Sequence, residues 1–315
     1  MKTMLVLSMG ALLLAGTLSA QTPVPEWQAG VDKMKSLIQT NPAQASEEVG
    51  ELLKGKNKKN VDLVTSVAHV YLDAGKLTEA QEYLAMAKKA DNKDPKVSVL
   101  EGDIALAQKN IGQACQLYEQ AIYFDPNCKE AYLKYAQAYK SASPALAIEK
   151  LEQLKAVDPN CLEADRELAE VYYSSNRFGK AAEMYAKFID TPLATEDDML
   201  KYAFALFLNH DFEKSLQVAQ KGLQKNARHA AFNRLVMYNN TDLKRYEDAE
   251  KAAHAFFNAS DRADYSYLDY RYYGALLSAL KKYDEAIIEY GKALEKDGTQ
   301  VDSVSYTHLT LPTIA

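Results

Sequence analysis

The sequence is short of almost everything from which a reactive centre is built. Its 315 residues hold only three cysteines, Cys115, Cys128 and Cys161, with no C-x-x-C pair among them. An odd count at wide spacing argues against a disulfide framework and against a thiolate metal cage. His69, His210, His229 and His254 lie far apart, and none belongs to an H-E-x-x-H pair. The 13 glycines are scattered singly, so there is no glycine-rich loop to cradle a phosphate and no G-x-S-x-G elbow. Carboxylate pairs such as Glu47-Glu48 and Asp197-Asp198 are ordinary on solvated helical faces. No catalytic constellation is recognisable, so neither enzyme activity nor a cofactor or metal ion is expected.

Charge of one sign is also lacking. The chain carries 37 Lys and Arg against 43 Asp and Glu, a net charge of −6. Mild acidity disfavours nucleic acid and anionic lipid as partners, because both reward clustered cations. The one dense basic run, Lys54 to Lys59, is expected to be a solvated loop. Long apolar runs are absent beyond the first twenty residues. There, Lys2 precedes an uncharged apolar stretch from Met4 to Ala15, and Leu18-Ser19-Ala20 offers a small-residue cut. Residues 1–20 therefore read as a secretory signal peptide cleaved before Gln21, with an uncleaved anchor as the alternative. No cysteine adjoins the cut, so a lipid anchor is not expected. At the other end, Val304 to Thr313 is similar to the in-frame translation of a sequencing adapter. Residues 304–315 are accordingly read as an artefact, with the natural chain interrupted near Ser303.

What is plentiful is Ala, Leu, Lys, Glu and Gln, side chains that lose little freedom in a helix. They repeat. A small residue recurs at Ala80, Ala114, Ala147, Ala181, Ser215, Ala249 and Ala286, at spacings of 34, 33, 34, 34, 34 and 37. About twelve residues earlier stands a second series: Ala68, Gly102, Ala136, Ala169, Ala203, Met237 and Gly274. Three residues after those come Tyr71, Ala105, Tyr139, Tyr172, Leu206, Asn240 and Leu277. Small residues let two antiparallel helices approach, and larger ones one turn away fill the groove beside them. The 230–266 unit departs from this phase at Met237 and Asn240 and takes three extra residues before its neighbour. The third unit is one residue short at SASPAL.

The phase resembles the tetratricopeptide repeat family, whose turn-plus-helix signature stands out in GKLTEAQEYLAMA, NRFGKAAEMYAKF, KRYEDAEKAAHAF and KKYDEAIIEYGKAL. The resemblance implies an all-α fold, an α-solenoid of stacked antiparallel helix pairs forming a superhelix. Seven repeats are expected at 61–94, 95–128, 129–161, 162–195, 196–229, 230–266 and 267–300, preceded by a degenerate or capping pair at 21–60. Equivalent positions in stacked pairs lie about 8–10 Å apart. Cys128 and Cys161, which each follow an Asp-Pro-Asn turn, are thus too distant for a disulfide, which needs Cα atoms within about 7 Å.

In that family the first helices of successive units line a groove that binds proteins or peptides. Carried over, the groove positions of the later units are Arg166, Glu170, Tyr173, Phe204, Phe207, Arg234, Tyr238 and Arg271. Aromatic rings beside arginines favour binding hot spots. Packing of Phe204 and Phe207 between units is the competing reading. Joint replacement of Phe204 and Arg234 would be expected to abolish partner capture. The chaperone-clamp use of such repeats is not supported, since Thr65 and His69 stand where Lys and Asn would be needed. The resemblance and the leader together imply an exported scaffold, periplasmic or secreted and bacterial, that binds a protein or peptide partner. The alternative is the input domain of a longer sensor.

Overall fold

The computed structural model describes residues 24–259 and 265–296; the leader at 1–20, the tail at 304–315 and part of the expected joint near 258–267 lie outside them. The described residues form sixteen α-helices and no strand. They fall into two compact units divided after Asn92.

The first unit holds two helix pairs. The first comprises α1 (Gln28–Leu37) and α2 (Pro42–Leu52); a 3-10 turn (Gly55–Lys59) leads to the second, α3 (Val61–Asp73) and α4 (Leu77–Ala90). The basic run occupies that turn with its lysines exposed, and Asn57 Nδ2 ties it down by donating to the Leu52 carbonyl at 3.0 Å. The core of this unit is chiefly aliphatic: Met34, Ala45, Val49, Leu63, Val67, Ala68 and Ala80 are all buried, with Tyr71 the buried ring beside them.

The second unit continues with six pairs in chain order. They are α5 (Pro95–Ala107) with α6 (Ile111–Phe124), α7 (Lys129–Tyr139) with α8 (Pro144–Val157), and α9 (Leu162–Ser174) with α10 (Phe178–Phe188). Then come α11 (Glu196–Leu208) with α12 (Phe212–Lys225), α13 (Ala230–Asp242) with α14 (Tyr246–His254), and α15 (Tyr267–Ala279) with α16 (Tyr283–Lys296). Each pair leaves an apolar face that the following pair covers, which is how a repeat array builds one continuous core from units too small to own one.

The recurring small residues have a visible reason. A Cβ added at Gly102 would stand 2.5 Å from the Tyr118 ring, and one at Gly274 would stand 2.9 Å from the Tyr290 ring. In both pairs the tyrosine of the second helix packs on the first helix where the side chain is missing. The turn inside each pair is equally regular. Gly75, Lys109, Asn176, His210, Lys244 and Lys281 all have positive φ, and the residue after each donates its N–H to a carbonyl five positions back. This is the left-handed C-terminal motif of helices, and five of its six occupants here are not glycine. The unit that is one residue short closes differently: Ser143 N–H reaches the Tyr139 carbonyl, only four back, at 2.7 Å. With that residue gone, α8 begins directly on Pro144, whose fixed φ suits a first helical turn. The unit with extra residues shortens α14 and runs into a single π turn at Ala255–Ala259, which seats Phe256 in the core.

The Asp-Pro-Asn corners also have a shared geometry. Asp125 and Asp158 accept from the backbone N–H of Asn127 and Asn160 at 2.9 and 3.2 Å, and the proline that follows each aspartate stops the helix. Cys115 and Cys161 are buried and Cys128 is half-buried; all three are free thiols.

Candidate functional site

The first helices of the second unit are joined by a ladder of carboxylates. On α5, Asp103 accepts from Tyr118 Oη at 2.7 Å and pairs with Lys134 of α7 at 2.9 Å. On α9, Glu170 accepts from Tyr185 Oη at 2.7 Å and pairs with Lys201 of α11 at 2.8 Å. The offsets are the same in both, 15 residues to the tyrosine and 31 to the lysine. Beside the Glu170–Lys201 rung lies a second kind. Arg166 of α9 forks onto Asp198 of α11, Nε to Oδ1 at 3.0 Å and the terminal nitrogen to Oδ2 at 3.0 Å. Thr195 closes a capping box on the same carboxylate, which is 1% exposed. Arg234 of α13 repeats this on Asp269 of α15 at 2.7 and 3.1 Å, with Ser266 in the place of Thr195. Bidentate guanidinium–carboxylate pairs fix orientation as well as distance.

Toward α15 the ladder becomes aromatic. Tyr238 Oη donates to Asp269 at 2.7 Å, and its ring stacks on Tyr272 with centroids 4.0 Å apart. Phe207 of α11 lies 5.6 Å from Tyr238 and 6.2 Å from Tyr272, so three successive first helices contribute to one aromatic column. Tyr272 Oη donates to Asp242 at 2.8 Å.

Comparison with known proteins matches this architecture. The sequence profile described as Tetratricopeptide repeat matches residues 67–127 and 136–193. Over those residues the chain carries tetratricopeptide repeats. The solved C-terminal part of a repeat-containing protein from Cytophaga hutchinsonii superposes with a TM-score of 0.56 at 17% identity, covering 74% of this chain and 96% of that one. PilF of Pseudomonas aeruginosa superposes with a TM-score of 0.52 at 16% identity, covering 70% of this chain and 99% of that one. At such identities the likeness is one of fold. No curated protein matches the chain.

The eight groove positions of this repeat chain are not equally available. Arg166, Glu170 and Arg234 are spent on the ladder. Phe207 and Tyr238 do not face outward as their helical phase implies; they are 8% and 2% exposed and pack on each other and on Tyr272. Tyr173 is half-buried and meets Phe178 edge-on at 5.7 Å. Phe204 is half-buried against the α13 cluster. Arg271 is exposed and makes no ion pair or hydrogen bond among the described residues. Reasoning from the sequence passed over Lys201 and Tyr272. The signal for the first was present, because Lys201 stands 31 residues after Glu170 as Lys134 stands after Asp103.

The electrostatics are those of a scaffold. Burial, reinforced by the carboxylate each one bonds, pushes the Tyr118, Tyr185 and Tyr238 phenols far above their ordinary range, so all three are neutral donors. Burial opposes the charge on Lys201, but hydrogen bonds to Asp197 and Glu170 outweigh it and raise its pKa. Burial also raises the Asp242 carboxyl, against the Tyr272 hydrogen bond and the nearby His210 and Arg271. The Cys115 thiol is pushed up to about 11, chiefly by burial, and those of Cys128 and Cys161 are raised for the same reason. Protonated, sheltered thiols are poor nucleophiles and poor ligands. No group of three His, Cys, Asp or Glu that could hold a metal ion occurs among the described residues.

Proposed function

We propose that this repeat chain is an exported scaffold that holds a protein or peptide partner along helices α9 to α15. The observation that carries the reading is Arg271. It stands exposed on the helix that bears Tyr272, close enough to Asp242 and Tyr272 to act on both electrostatically. An unpaired guanidinium beside a rigid aromatic column is suited to a carboxylate or main-chain carbonyl of a partner. Tyr173 and Phe204 supply half-exposed aromatic area on the same run of helices. The ladder of ion pairs supports this use indirectly, because it makes the presenting helices rigid and so lowers the ordering cost of binding.

The test differs from the one the sequence invites. Replacing Arg234 would strip a guanidinium from Asp269, which is fully buried, and so would confound loss of binding with loss of structure. Phe204→Ala together with Arg271→Ala removes only exposed or half-exposed groups. The pair is expected to abolish capture of the partner cross-linked in an envelope fraction while helix content stays unchanged. Undiminished capture by the double variant would reject this face. Export is tested separately, by fusing residues 1–30 to a reporter that is active only outside the cytoplasm. An inactive fusion rejects that part of the proposal.

A further inference from the structure

Helix α16 carries an apolar patch that its own pair does not cover. Ile287 and Ile288 stand side by side, 57% and 58% exposed, and Tyr283 one turn earlier is exposed as well. No other helix among the described residues exposes more than two large apolar side chains, or two adjacent ones. The two isoleucines have different counterparts in the earlier units. Ile287 directly follows the small residue of its helix, a position where Cys115, Ile148, Ala182 and Leu216 are all buried. A further pair stacked in the ordinary way would cover it. Ile288 comes one residue later. There the six preceding units place Glu82, Gln116, Glu149, Glu183, Gln217 and Lys251, every one polar and exposed. Ordinary stacking therefore leaves Ile288 in water, and a cover for both isoleucines must lie across the outer face of the helix.

The flanking charges decide which cover fits. Asp284 lies four residues before Ile288 and Lys292 four after; Lys281, in the turn ahead of the helix, lies seven before and Glu295 seven after. The signs are opposite within each set. Two copies of α16 packed antiparallel about a two-fold axis at Ile288 therefore set Asp284 against Lys292 and Lys281 against Glu295, each twice. The side chains of Lys281, Asp284 and Glu295 are exposed and make no ion pair or hydrogen bond among the described residues. Lys292 keeps its bond to Glu289 at 2.7 Å and is exposed beyond it. The surface over Gly291 is open, with nothing within 4 Å of an added Cβ, so Ile287 of one copy has room between Ile288 and Gly291 of the other. We infer that this face of α16 is an interface between two copies of the chain, packed antiparallel through Ile287 and Ile288. The contact shares no residue with the face proposed above and stands or falls without it. The helix is 14 residues long, about 21 Å, so the seam falls short of a standard interface and the dimer is expected to be weak.

The experiment is sedimentation velocity of the full chain over a concentration series from about 1 µM to about 1 mM, where a weak interface associates. The sedimentation coefficient is expected to rise from monomer toward dimer and no further, because a two-fold contact closes on itself. Ile288→Glu, which copies Glu149 and Glu183 and meets itself at the axis, is expected to stay monomeric throughout. Lys281→Glu and Glu295→Lys are each expected to weaken association about tenfold. An equimolar mixture of those two variants is expected to regain it, since the unlike copies restore opposite charges in both pairs. A monomer at every concentration, as would follow if another segment of the chain lay on this face, would overturn the inference. So would undiminished association by Ile288→Glu, or a mixture no stronger than its components. Should Ile288→Glu not fold, the concentration series and the mixture decide the matter by themselves.

Discussion

Arg234→Met is the sharpest perturbation of the ladder. In the native chain the Asp269 carboxylate, 0% exposed, accepts from Arg234 at 2.7 and 3.1 Å, from Tyr238 Oη at 2.7 Å, and from Ser266 N and Oγ at 2.7 and 2.8 Å. The methionine keeps the length of the side chain over the Phe256 ring, where the guanidinium sits 5.1 Å from the centroid, but removes both charge-assisted bonds. Breaking a buried pair by removing one partner costs about 3–5 kcal/mol. The side chain of Arg234 is 23% exposed, so the lower end applies, about 3 kcal/mol. Replacing the whole cluster is far milder: Arg234→Met with Asp269→Leu and Tyr238→Phe leaves neither an orphaned charge nor an orphaned hydroxyl and forfeits mainly the cap on Ser266, about 1 kcal/mol. The assay must be local. The single tryptophan, Trp27, belongs to the first unit, and a repeat array need not unfold in one step. Native-state hydrogen exchange on α13 and α15 suits, and 3 kcal/mol corresponds to a roughly 150-fold faster exchange there. Acceleration below about tenfold, or a triple variant as impaired as the single one, would refute the argument that the pair clamps these helices.

Glycine positions give a paired test. Gly222→Ala would place a Cβ 2.4 Å from the buried Phe232 ring and is expected to cost about 1–3 kcal/mol in urea unfolding followed by circular dichroism. Gly291→Ala meets nothing within 4 Å inside α16 and is expected to stabilise by about 0.5–1 kcal/mol; a loss there would count against the packing argument. Alkaline pH provides another. The raised pKa values of Tyr118, Tyr185 and Tyr238 mean that the unfolded phenols ionise near pH 10 while the folded ones do not. Their contribution is whole below about pH 10 and falls above it by up to about 1.4 kcal/mol per pH unit for each group. The thermal midpoint should stay level to about pH 9.5 and then drop; a level midpoint to about pH 11 would contradict it.

Several features of the fold are legible in particular residues. The 34-residue phase of small side chains announces helix pairs because a second-helix ring must lie on them, as Tyr118 does on Gly102. The missing residue before Pro144 and the surplus near Ser260 are visible as breaks in that phase. The candidate surface is less legible. Arg234 looks like a free recognition group in sequence, because no carboxylate stands within a turn of it; Arg166 has Glu163 and Glu170 on its own helix, three and four residues away, yet pairs elsewhere. Their partners, Asp198 and Asp269, are 32 and 35 residues away and take part in caps that sequence reading assigns to the next helix alone.

The sequence by itself determined the unit, an α-helical pair with one small residue per helix, since that follows from local propensity and from periodicity along one chain. Which side chains remain free was decided only by the tertiary structure. Adjacent first helices do not meet at equivalent positions. Glu170 corresponds to Phe204 but touches Lys201; Phe207 corresponds to Thr241 but touches Tyr238; Tyr238 corresponds to Ala275 but touches Tyr272. Each contact falls about one helical turn before the equivalent residue. That offset comes from how two helices pack side by side. It turns five of the eight expected groove positions into rungs and buried rings, and leaves Arg271, Tyr173 and Phe204 at least partly exposed.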